Sequence, residues 1–114
     1  MDVPLILESE YIPEWRGNKE AASPIKVILQ PLTGGQRTEC VNIRTSEGGI
    51  VSVMDMPRLV EYGAKELQNL SAGGVSITTG RQLVRSKGAG LEQLIIELAA
   101  EILVRNQEID LKNS

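Results

Sequence analysis

From Leu91 to Gln107 the chain reads Leu-Glu-Gln-Leu-Ile-Ile-Glu-Leu-Ala-Ala-Glu-Ile-Leu-Val-Arg-Asn-Gln, a long stretch without Gly or Pro and rich in strong helix formers. Placed on a helix at about 100° per residue, Leu91, Leu94, Ile95, Leu98 and Ile102 share one face. A second apolar row, Ile96, Ala99, Ala100 and Leu103, lies beside the first. The two rows span roughly 240°, well beyond the ~100° stripe that a surface helix needs. Only Gln93, Glu97 and Glu101 form a clear polar edge. The pattern predicts a helix covered on two sides. One side belongs to its own domain. The other is met by more of the same chain or by a partner, since a chain of 114 residues offers little else to cover it.

Alternation organises the first half. Ile25, Val27 and Leu29 alternate with Lys26, Ile28 and Gln30, which predicts a strand over 25–33, with Pro31 placing its end on an edge. Pro4, Leu5, Ile6 and Leu7 suggest a short strand, and Asn18 to Ser23 a solvated loop. Residues 1–24, interrupted by Pro4, Pro13 and Pro24, read as an extended N-terminal arm. Gly34-Gly35 between two β-capable runs is a hairpin signal. Thr33 with Gln36 is also a capping box that would start a helix. The β-branched residues that follow favour a strand over 37–45. A turn at Ser46 to Gly49 follows, and Ile50 to Met54 read as a third short strand or as a lead-in to the next element.

Asp55 is placed to cap a helix that continues to Leu70, with Pro57 in its first turn. Leu59, Val60, Gly63, Ala64 and Leu67 form its stripe, and Gly73-Gly74 offer C-caps. Val75 to Ile77 form a short extended piece. Thr79 and Gln82 predict a short helix over about 80–86, ended by Gly88-Ala89-Gly90. The tail, 108–114, is mostly polar and expected to fray. The fold class is α+β: a small N-terminal antiparallel β segment of two or three strands, then a helical part with a long final helix. A single domain over 1–114 fits the length.

Composition narrows the chemistry. Net charge is −3 and there is no His, which removes the commonest general base and metal ligand. Cys40 is the only cysteine, so it has neither a disulfide partner within the chain nor a zinc cluster. In a β-like run, it reads as a small buried hydrophobe. Glu92, Glu97, Glu101 and Glu108 do not form a metal set, and Glu97 and Glu101 read as a wet helix edge. The Gly pairs read as turns rather than a phosphate loop. No cofactor and no catalytic group are expected. No apolar run reaches a membrane span, and the N-terminus does not read as a secretory signal. A cytoplasmic protein is expected.

The segment 80–107 has a helix-turn-helix outline, with Arg81, Arg85 and Lys87 as its basic charge. A recognition helix needs polar residues toward the groove, and this one is mostly apolar with three Glu. An αα-corner is the plainer reading, and no nucleic acid is expected. Tyr11 and Trp15 hold two of the three aromatics in one Pro-containing segment. They either pack back on the core or meet a partner. With Ile96, Ala100 and Leu103 they are the candidate protein-interaction residues.

The chain as a whole resembles the small tail assembly chaperones of long-tailed bacteriophages and prophages. The likeness runs through Tyr11-Ile12-Pro13-Glu14-Trp15-Arg16-Gly17-Asn18, Leu29-Gln30-Pro31-Leu32-Thr33 and Val60 to Leu70. It continues in Gly74-Val75-Ser76-Ile77-Thr78-Thr79-Gly80 before Gln82-Leu83-Val84, then the helix of Leu, Ile, Glu and Ala, and Leu111-Lys112-Asn113-Ser114. Each piece is short, and their order over most of the chain carries the likeness. Gly34-Gly35 departs from it, standing where a helix-starting acidic pair is expected. The resemblance implies a non-enzymatic protein of the bacterial host's cytoplasm. It implies binding to the tape measure protein and recruitment of tail tube protein, with no catalytic residue to carry over. It also implies that this chain is the short product of a programmed −1 frameshift near Lys112-Asn113. Self-association is expected from the two-sided helix. The alternative is a structural or adaptor subunit of a phage particle, or a small DNA-associated regulator.

Overall fold

Alternating apolar residues and tight turns set the order of elements. In the computed structural model they are β1 (Ser9–Tyr11), a 3-10 turn (Trp15–Glu20), β2 (Lys26–Leu29), α1 (Gly34–Glu39), β3 (Val41–Ser46) and β4 (Gly49–Met54). Then come α2 (Met56–Gly63), β5 (Ala64–Gln68), β6 (Ser71–Ala72), β7 (Val75–Ser76), α3 (Gly80–Arg85) and α4 (Leu91–Lys112). The backbone is described for residues 1–112 and side chains as far as Asn106. The tail expected to fray at 108–114 therefore lies outside the described side chains. The architecture is α+β.

Strand β2 is the centre of an antiparallel sheet ordered β1-β2-β5. Ile25, Val27 and Leu29 point into the core as their alternation requires. Pro31 lies beyond the strand rather than on a sheet edge, since β2 has a neighbour on both sides. The expected strand at Pro4 to Leu7 is absent, and the edge strand starts at Ser9 instead. Asn18, expected in a solvated loop, is buried. Its amide donates to the Pro13 and Ile25 carbonyls at 2.9 and 3.0 Å and accepts from the Ile25 N–H at 2.6 Å. One side chain thus closes the loop that feeds β2.

The predicted helix 55–70 ends early. Asp55 accepts from the Arg58 N–H and Pro57 sits in the first turn, but the helix stops at Gly63 and the chain becomes β5. Ala64 and Leu67 are both buried although three apart. The β2–β5 register steps over Lys65, pairing Ile28 with Glu66 and Leu29 with Ala64. A bulge of this kind inserts one residue. It converts the strand spacing of two into three, which in the sequence is indistinguishable from a helical stripe. Gly73-Gly74 accordingly turn the β6–β7 hairpin, with Ala72 paired to Val75, and cap no helix.

Residues 34–45 combine both readings. The capping box at Thr33 and Gln36 forms and starts α1, which displaces the expected strand at 37–40, and β3 then begins at Val41. The two reciprocal hydrogen bonds outweigh the weak helix propensity of two glycines. Strands β3 and β4 make a separate two-stranded sheet.

The core lies between the β1-β2-β5 sheet and the helices. Leu94, Leu98 and Ile102 of α4 meet Leu59 and Val60 of α2, Leu83 of α3, and the buried side of the sheet. Two glycines allow the close approach. A Cβ on Gly80 would lie 2.2 Å from the Val60 carbonyl oxygen, and one on Gly63 would lie 2.7 Å from Ile102. Thr79 accepts from the Gln82 N–H to cap α3, while the Gln82 side chain reaches the Thr78 N–H rather than closing a box on Thr79.

Candidate protein-interaction surface

The N-terminal arm is fastened to α4. The Tyr11 hydroxyl donates to Glu97 at 2.6 Å, and the Glu14 N–H donates to the same carboxylate at 2.8 Å. The Trp15 indole N–H donates to the Gly90 carbonyl at 3.2 Å, and Arg16 donates to the Ala89 carbonyl at 3.0 Å. Further along the helix, Arg105 donates to Ser9, to the Glu10 carbonyl at 3.2 Å and to Glu101 at 2.8 Å. Its guanidinium also lies over the Tyr11 ring, 5.3 Å from the centroid. So Glu97 and Glu101 are not a wet edge. They are half-buried and partnered, and they hold the arm in place. Burial, the Glu97 hydrogen bond and neighbouring carboxylates push the Tyr11 hydroxyl well above its usual pKa.

Two of the five sequence candidates, Tyr11 and Trp15, are therefore half-buried against the core. The other three divide. Leu103 is half-buried, Ala100 is exposed, and Ile96 is 51% exposed. Ala99, counted in the same row, is buried. The exposed strip runs Ile96, Ala100, Val104, with Val104 53% exposed. Val104 was missed as a candidate, although it continues the spacing of four from Ile96 and Ala100.

A second apolar surface lies on β3 and β4. Val41, Met54, Leu103, Leu32 and Leu59 line a cleft of about 270 Å³ together with Arg37 and Asn106. Asn106 is buried; it donates to the Ile102 carbonyl and accepts from the Leu32 N–H at 3.2 Å, which fixes the cleft wall to α4. Beyond the cleft the hairpin leaves the core. Opposed pairs share a face, so Val41 and Met54, Ile43 and Ser52, and Thr45 and Ile50 line one side. Ile43 and Ile50 are 70% and 76% exposed on that side, and Val51 and Val53 are exposed on the other. Sequence reasoning took this hairpin as ordinary strand. The signal available was a ribbon apolar on both faces.

Cys40 is fully buried at the base of β3, and burial raises its thiol pKa, with Asp55 adding to the effect. It is a small hydrophobe in place. Among the described residues no group of three or more His, Cys, Asp or Glu could hold a metal ion, and no helix is long and apolar enough to cross a membrane. In the α3–α4 corner, Arg81 lies 3.7 Å from Glu61, and the exposed residues opening α4 are Glu92 and Gln93.

No family model, curated protein or solved structure matches the chain.

Proposed function

We propose that this chain is a tail assembly chaperone of a long-tailed bacteriophage or prophage. It is non-enzymatic, acts in the host cytoplasm, and binds the tape measure protein while helping to recruit tail tube subunits. The observation that carries this reading is the Ile96, Ala100 and Val104 strip on α4, an apolar row left open on a helix whose other face is filled. A helical partner laid along such a strip makes contacts at spacings of three and four. The order of short motifs described above supplies the family, and the surface supplies a means of binding. The acidic opening of α4 supports a protein partner over a nucleic acid.

The test is co-expression with the tape measure protein encoded in the same genome. The two proteins are expected to co-elute, and Ile96→Glu with Val104→Glu is expected to abolish the complex while leaving the fold intact. A tape measure protein that elutes alone would overturn the proposal. Finding the chain in purified particles would favour a structural subunit instead.

A further inference from the structure

Among the described residues the β3–β4 hairpin has an unpaired strand edge on each side. The β3 strand carries Arg44. The β4 strand, Gly-Ile-Val-Ser-Val-Met, has no charge and no Pro, and its register with β3 is unbroken from Gly49 to Met54. Native edges are usually blunted by a charge, a Pro, a bulge or a cover. Strand β4 has none of these, and an edge so composed is a template for another strand.

The sequence of β4 selects the occupant. A two-fold axis perpendicular to a sheet keeps residues of one face together, so opposed residues must come from the same face. Only registers in which some residue meets its own copy satisfy this. Centred on Val51, the pairing sets Ile50 against Ser52. Centred on Val53, it sets Ser52 against Met54 and Val51 against Asp55. Centred on Ser52, it sets Ile50 against Met54, Val51 against Val53 and Ser52 against Ser52, which matches apolar with apolar on both faces. No residue from Gly49 to Met54 is charged, so the Ser52 register opposes no like charges along the paired strands.

We infer that β4 pairs antiparallel with β4 of a second copy about a two-fold axis at Ser52, forming a four-stranded sheet across a dimer. The inference stands apart from the chaperone reading. It leaves the α4 strip open for a different partner.

A disulfide across the axis tests it. Cys40 is buried, so Ser52→Cys adds an exposed thiol to a chain with no other accessible one. Directly opposed residues of an antiparallel pair have Cα atoms about 4.5–5.5 Å apart, within reach of a disulfide. Under mild oxidation the full-length Ser52→Cys protein is expected to form a reducible covalent dimer. Thr45→Cys, equally open but on β3, is expected to do so at least about tenfold more slowly, lacking the effective concentration of a paired thiol. Sedimentation equilibrium should show a wild-type dimer. Ser52→Lys should weaken it at least about fivefold by opposing like charges, without lowering the melting temperature of the dilute monomer. A wild type monomeric at high concentration overturns the inference, as it would if the edge takes another protein's strand. Equal cross-linking of the two cysteine variants overturns it too, as does a Ser52→Lys protein that dimerises normally.

Discussion

The sheet-and-helix body and the β3–β4 hairpin are built from similar residues and treat them in opposite ways. In the body, Val27, Leu67, Leu94, Leu98 and Ile102 are all buried, and the polar groups among them are satisfied by named partners such as Asn18 and Asn106. In the hairpin, Ile43, Ile50, Val51 and Val53 are exposed. A two-stranded hairpin standing alone is marginal in water. The contrast separates residues that make the fold from residues that the fold leaves over, and the leftover set is where binding is to be sought.

Truncation should separate the two regions most widely. Leu98→Ala is expected to cost about 2–5 kcal/mol, because the site is fully enclosed. Ile50→Ala is expected to fall within about 0.5 kcal/mol, as an exposed position does. Denaturant unfolding of both variants reads the difference, and equal losses would abolish the distinction.

Crowding is the next lever. Gly80→Ala puts a Cβ against the backbone oxygens of Val60 and Ala64 and is expected to cost about 3 kcal/mol. Gly48→Ala, at the hairpin turn, meets nothing within 4 Å and should cost less than about 1 kcal/mol. Melting temperatures of the two variants are the check.

A smaller effect concerns the arm. Asn18→Ala leaves the buried Ile25 N–H and the Pro13 and Ile25 carbonyls without their partner and is expected to cost about 2–3 kcal/mol. Tyr11→Phe removes one hydrogen bond to Glu97 and is expected to cost about 1 kcal/mol. The second value depends on pH with a definite sign. Tyr11 is raised above its unfolded value of about 10, so its contribution is complete below pH ~10 and declines as pH rises beyond it. The stability difference between wild type and Tyr11→Phe should therefore be flat from neutral pH to about 10 and shrink above. A difference that shrinks at lower pH would contradict this assignment.

Much of the body was legible because local signals agreed with the tertiary outcome. The alternation around Val27, the cap at Asp55, the cap at Thr79 and the stripe of α4 each point to the element that forms. The failures share a physical cause. The bulge at Lys65 gives a strand the spacing of a helix, so Ala64 and Leu67 extended the stripe of α2 falsely. At Thr33 the two capping hydrogen bonds prevail over a β-prone neighbourhood that begins only at Val41. The candidate surface was half legible. Apolar excess on α4 pointed to Ile96 and Ala100, but Tyr11 and Trp15 are taken up by Glu97 and Gly90, partners about 75 or more residues away that no local pattern reveals.

Hydrogen exchange on the dilute monomer tests the division most directly. Amides of β2, β5 and the first half of α4 should exchange only through global unfolding, while those of β3 and β4 should exchange through local opening at a much lower free energy. Equal protection of the hairpin and the body in the monomer would contradict the account, because the hairpin would then be part of a fold complete in itself.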